Sequence, residues 1–173
     1  MGVALSVYTG IRIGELCALQ WADIDLEKRL LTVRKTIQRV QMPQGERRTR
    51  LVITEPKSHK SIREIPIPAC LCEMLRKYAG KPDCFVLSST IKPVEPRTMQ
   101  YRYVKLLQNA DLPSVHFHSL RHAFASGCIA LGFDVKTLSE ILGHSSIELT
   151  LNRYVHTSLD RKRACMELLD RPA

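Results

Sequence analysis

Four short stretches of this 173-residue chain carry side chains suited to work on a phosphodiester. Thr9-Gly10-Ile11-Arg12-Ile13-Gly14-Glu15-Leu16 supplies one arginine, and His118-Ser119-Leu120-Arg121-His122 supplies a second, flanked by histidines. Leu142-Gly143-His144 adds a further histidine, and Tyr154 follows ten residues later. A phosphodiester under attack gathers extra negative charge on its non-bridging oxygens. Arginine's fixed fork of donors matches two such oxygens at once, where lysine offers a point charge. Two arginines from distant segments can therefore hold one phosphate from two sides, and preorganised donors of this kind often supply the largest catalytic contribution. A tyrosine phenol, with a pKa of about 10, attacks only if a base and positive surroundings activate it. His118 and Arg121 lie three apart at the start of a helical pattern and can point the same way. Arg12 and Glu15 are likewise three apart, so the carboxylate can buttress the guanidinium. The competing chemistry is metal binding, because His118 and His122 have the i,i+4 spacing of zinc ligands and His116 and His144 could join them. Against it, the segment lacks the glutamate of an HExxH pattern and any cysteine nearby.

Taken in order from about Tyr8 to His156, these motifs resemble the catalytic domain of the tyrosine recombinases, the phage-integrase family. The resemblance implies a reaction that cuts and rejoins double-stranded DNA through a 3′-phosphotyrosine and a free 5′-OH, with no metal, ATP or other cofactor. It assigns Arg12, Arg121 and His144 to the phosphate, His118 to the proton of the nucleophile, and Tyr154 to the attack. It also points to Lys57, in Glu55-Pro56-Lys57-Ser58-His59-Lys60-Ser61-Ile62-Arg63, as the general acid for the leaving 5′-oxygen, with Lys60 the competitor. Lys60, Arg63, Arg97, Arg102 and Lys105 are candidate DNA-backbone contacts. The departures are Ala123-Phe124-Ala125-Ser126, where a threonine often follows the HxxRH, and Ser58 after the lysine. Family members work on DNA as a tetrameric synapse, in the bacterial cytoplasm, for phage or mobile-element integration and excision. The amphipathic segment Leu159–Leu169 is expected to pack on a neighbouring protomer or on its own domain. The alternatives are a type IB topoisomerase and a catalytically inactive DNA-binding remnant, the latter opposed by the intact tyrosine and arginines.

The bulk composition is compatible with this. Twenty-six Lys+Arg against 17 Asp+Glu give a formal charge of +9, which suits a polyanionic partner without requiring one. Forty-five per cent hydrophobic residues and 25% charged ones describe a globular protein, and no apolar run reaches a membrane span. The six cysteines lack CxxC spacing and read as free thiols, mostly among apolar neighbours, in a reducing compartment.

The elements that must position these residues follow from periodicity. The length predicts one domain covering residues 1–173; by the resemblance it is a catalytic domain with an abrupt start, expected to lack the separate clamp that family members carry upstream. Such a domain alone should bind DNA weakly and salt-sensitively. A helical pattern over Gly2–Tyr8 precedes a short buried helix at 11–19. Strands are expected over Leu30–Val40, Leu51–Thr54 and Arg63–Ile67, giving a three-stranded antiparallel sheet with Lys57 at a hairpin tip. Helices are then expected at 69–79, 98–109, 119–131, 135–142, 146–154 and 159–169, with Gly132 and Gly143 as stops and Asp134 and Ser145 as starts. The fold class is α+β: mainly helical, with a small three-stranded antiparallel sheet.

Overall fold

A computed structural model describes residues 1–41, 49–55, 62–144, 146, 148, 150, 163, 166 and 167. Helix α1 (Gly2–Thr9) and the short helix α2 (Ile13–Ala18) open the chain. A single 3-10 turn at Trp21–Asp23 leads into strands β1 (Ile24–Asp25), β2 (Leu30–Val33), β3 (Thr36–Gln41), β4 (Thr49–Thr54) and β5 (Arg63–Pro66). Helices α3 (Ala69–Arg76), α4 (Pro96–Asn109), α5 (His118–Ala130) and α6 (Val135–Leu142) complete the described elements.

The α+β class holds, but the strands divide differently from the periodicity reading. One antiparallel sheet runs β1-β2-β5, and β3 and β4 form a separate two-stranded ribbon. The run expected as one strand over Leu30–Val40 is therefore broken at Arg34 and Lys35. At this break both side chains reach back to the 3-10 turn. Arg34 Nε sits 2.6 Å from the buried carboxylate of Asp23, and Lys35 Nζ donates to Gln20 Oε1 at 3.0 Å.

In the three-stranded sheet Leu31 faces Ile65 and Val33 faces Arg63. Strand side chains alternate between faces, so Leu31, Val33 and Ile65 all enter the core, and Arg63 enters with them. The main core joins Leu5, Ile11, Leu16, Leu31, Ile65, Leu71 and Leu75, contributed by α1, α2, the sheet and α3. Helix α4 closes one side by burying Met99, Tyr103 and Leu107, spaced four apart, while Arg97, Arg102 and Lys105 stay exposed. A second, smaller cluster of Ala125, Cys128, Leu138 and Leu142 binds α5 to α6. The interior thiols Cys17, Cys72 and Cys128 behave as buried apolar groups; burial pushes Cys17 up to about 12. Cys70 departs from that expectation and is exposed. Cys165 and the segment around Leu159–Leu169, apart from Arg163, Met166 and Glu167, lie outside the described residues.

Candidate active site: an arginine-held corner

The site is built around the C-terminus of α6. A helix end leaves carbonyls without intrahelical partners, and each must be met by something else. Gly143 adopts the left-handed conformation (φ 62°), and its N–H donates to Glu140 O while His144 N–H donates to Ser139 O. That is the paired closure of a Schellman motif, and glycine adopts this φ without the penalty that other residues meet. Three carbonyls remain, and three arginines take them. Arg63 Nε donates to Ile141 O at 2.7 Å, Arg121 Nη2 to Leu142 O at 2.8 Å, and Arg12 Nη2 to Gly143 O at 2.9 Å. The partial negative charge of a helix C-terminus favours cations at this end.

Each arginine arrives by a different local device. Arg12 is the N-cap residue of α2 rather than a residue inside it, and its backbone N–H donates to Glu15 Oε2 at 3.0 Å. That bond is the returning half of a capping box, and it fixes Glu15 against its own helix start. Arg121 lies one turn into α5, is 3% exposed, and also donates through Nη1 to Gly10 O at 2.7 Å. Gly10 ends α1 in the left-handed region (φ 62°), and a Cβ there would lie 2.5 Å from Phe124. A side chain at position 10 would thus wedge apart the turn whose carbonyl Arg121 holds. Arg63 comes from β5, carried inward by strand alternation.

The Glu15 carboxylate ties the first and third arginines together. Its Oε1 accepts from Arg12 Nη1 at 2.9 Å and Arg63 Nη1 at 3.1 Å. Its Oε2 accepts from Arg63 Nη2 at 2.7 Å as well as from the Arg12 N–H. Burial pushes this carboxyl upward, but the Arg63 hydrogen bonds and the charges of Arg63 and Arg12 outweigh it and hold the group below the usual carboxylate range.

His144 borders the same corner, and His118 lies beside Arg121. His144 Nδ1 pairs with the hydroxyl of the fully buried Thr150 at 2.7 Å, which fixes the imidazole's orientation. His118 and Arg121 line one small cavity of about 150 Å³ with Ile11, Gln100, His116 and Phe117. Phe117 is held there edge-on to Tyr103 of α4, with ring centroids 5.2 Å apart. The His118 and His122 rings meet edge to face at 4.8 Å. Among the described residues, no three His, Cys, Asp or Glu side chains come together to hold a metal.

The sequence-derived residues other than Arg63 fall into three groups. Arg12, Glu15, Arg121 and His144 meet at the corner, and His118 lines a small cavity shared with Arg121. Arg97, Arg102 and Lys105 lie on the exposed side of α4 or at its start. Lys57, Lys60, Tyr154 and the Ser145 cap lie outside the described residues. Arg63, expected at a DNA backbone, instead has a side chain only 7% exposed with all three guanidinium nitrogens engaged inside the protein. Its inward position was signalled by its parity with Ile65 and Ile67. Thr150, the partner of His144, carried no comparable signal.

Among relatives, a tyrosine recombinase XerC-like protein of Caldanaerobacter subterraneus subsp. tengcongensis is 33% identical, over 96% of this chain and 47% of its own. The ICEBs1 integrase of Bacillus subtilis is 26% identical, over 94% of this chain and 46% of its own. The chain spans about half the length of the curated relatives it matches. A solved structure of the Tn1549 transposon integrase in complex with transposon right end DNA superposes with a TM-score of 0.79 at 27% identity, covering 98% of this chain and 58% of that one. The phage integrase family model matches residues 2–161, and with the motifs and the fold in agreement the chain belongs to that family.

Proposed function

We propose that this chain is the catalytic domain of a site-specific recombinase that cuts and rejoins double-stranded DNA through a 3′-phosphotyrosine at Tyr154, for integration or excision of a phage or mobile element. The observation that carries this reading is the corner itself. Arg12 and Arg121 hold successive carbonyls immediately before His144, so three side chains of a kind suited to a phosphate come together from distant segments. In the proposed step the Tyr154 oxygen forms a bond to phosphorus and the bond from phosphorus to the 5′-oxygen breaks. The tyrosine proton passes toward His118, and Lys57 protonates the departing 5′-oxygen. Arg12, Arg121 and His144 hold the non-bridging oxygens as their charge grows. Attack by a 5′-OH on the phosphotyrosine reverses the sequence and reseals the strand, with no metal and no cofactor.

The Tn1549 integrase complex supports double-stranded DNA as the partner, and the exposed basic residues of α4 suit its backbone. Assembly into a tetrameric synapse and a place on DNA in the bacterial cytoplasm belong to the same proposal. An apolar groove of about 880 Å³, lined by Tyr8, Ile67, Phe124, Leu131 and Phe133, is the proposed seat of the amphipathic segment Leu159–Leu169, whether from a neighbouring protomer or from the same chain. Among the described residues, no helix is long and apolar enough to cross a membrane. The test is covalent trapping on nicked duplexes that lose a short 5′ fragment after attack and so cannot religate. The expected outcome is a denaturation-resistant adduct mapping to Tyr154, absent in Tyr154→Phe and unchanged by a chelator. A chain that binds these duplexes without forming the adduct would be a binding remnant instead.

A further inference from the structure

We infer that Arg63 is a positioning residue that keeps the positive charge of Arg12 available to a phosphate, an inference that rests on the recombinase reading for its substrate. Arg12 and Glu15 alone would form a neutral pair, and an arriving phosphate would meet a cancelled cation beside a carboxylate. Arg63 changes that balance. It binds Glu15 through both terminal nitrogens, at 3.1 and 2.7 Å, from a side chain 7% exposed, whereas the Arg12 side chain is 40% exposed. The trio of two guanidinium groups and one carboxylate carries a net charge of one positive unit, and its most exposed member is Arg12. The four hydrogen bonds accepted by Glu15 occupy both oxygens twice, so the carboxylate has little capacity left to draw Arg12 further inward.

The third nitrogen of Arg63 adds a positional role. By binding Ile141 O it fixes the end of α6, whose next residues present Gly143 O to Arg12 and place His144. The packing is close: a Cβ on Gly143 would lie 2.9 Å from Arg63 Nη1 and 3.0 Å from its Cδ. Lysine at position 63 would keep the charge but could not make the three-nitrogen contact.

The test uses Arg63→Met, Arg63→Lys and the double variant Glu15→Gln/Arg63→Met, each examined below its unfolding transition. Inorganic sulfate is titrated at constant ionic strength and followed by the guanidinium NMR signal of Arg12, and single-turnover adduct formation is measured on nicked duplex. Arg63→Met should weaken sulfate binding by about fivefold. It should slow adduct formation at saturating DNA by about tenfold or more, with a shift of less than about threefold in half-saturating DNA, because the loss falls on the transition state. The double variant should recover most of the sulfate-binding loss, since the uncompensated carboxylate is gone, while the part of the adduct loss that comes from the missing Ile141 O contact remains. Arg63→Lys should keep sulfate binding within about twofold while still slowing the adduct, because only the charge is retained. A purely structural role would leave the double variant no better than Arg63→Met, and that result overturns the inference, as does unchanged sulfate affinity in folded Arg63→Met. If Arg63→Met does not fold, the double variant decides, and a loss of about fivefold or more in its sulfate affinity overturns the inference. Wild-type chain that binds sulfate at Arg12 yet forms no Tyr154 adduct counts against the recombinase reading, while the sulfate comparison still decides the role of Arg63.

Discussion

The two ends of α6 are stabilised by opposite strategies. At its N-terminus the exposed Asp134 accepts a hydrogen bond from Thr137 N–H at 2.8 Å, a cap made three residues away by one short side chain. At its C-terminus the carbonyls of Ile141, Leu142 and Gly143 are held by arginines 78, 21 and 131 residues distant in sequence. The first end only has to start a helix, so local chemistry suffices. The second gathers cationic groups from α2, β5 and α5 at one point, and the helix terminus is the template that aligns them. Where function needs groups from several segments, backbone satisfaction and site assembly become the same set of bonds.

Breaking the distant end should therefore cost far more than breaking the local one. Arg121→Met carries the largest expected effect. It leaves the buried carbonyls of Gly10 and Leu142 unpaired, at about 1–3 kcal/mol each, and it should lower Tyr154 adduct formation by about a hundredfold or more. Urea denaturation and the trapping assay measure the two parts separately. Glu15→Gln comes next. It strands the buried Arg63 charge and should cost about 3 kcal/mol in urea denaturation, since removing one partner of a buried pair leaves the other uncompensated.

The same variant exposes a pH signature. Because Glu15 is held below its usual range in the folded state, its contribution to stability is complete above the ordinary carboxylate range. It is lost as pH falls through the lowered folded value, so wild type should lose stability there and Glu15→Gln should show a shallower acid limb. Melting curves across acidic pH would show it; parallel curves would contradict the assignment.

Gly143→Ala is a milder way to disturb the distant end. It combines left-handed strain of about 1–2 kcal/mol with crowding against Arg63, and adduct formation should fall along with stability. Asp134→Ala should have the smallest effect: a slight drop in melting temperature with the adduct rate unchanged. A large activity loss from Asp134→Ala would erase the contrast between the two ends.

Legibility in the sequence follows the range of the interactions. The cap at Asp134, the glycine stop at Gly143 and the helical span of α4 depend on neighbours within a turn or two, and periodicity and turn chemistry reveal them. The break between β2 and β3 coincides with Arg34 and Lys35 reaching back to Asp23 and Gln20, and strand propensity carries no trace of it. Arg63 is the instructive case. Its basic surroundings in the segment suggested an outward DNA contact, although its parity with Ile65 and Ile67 pointed inward.

The sequence by itself determined the family, the α+β class and the identity of the polar residues, because these reside in residue types and their order along the chain. Tertiary structure alone decided that Glu15 serves two arginines, that three guanidinium groups terminate one helix, and that His144 is oriented by Thr150. Those outcomes depend on which carbonyls and carboxylates remain without partners once the elements pack. That is a property of the folded arrangement, and no segment carries it alone.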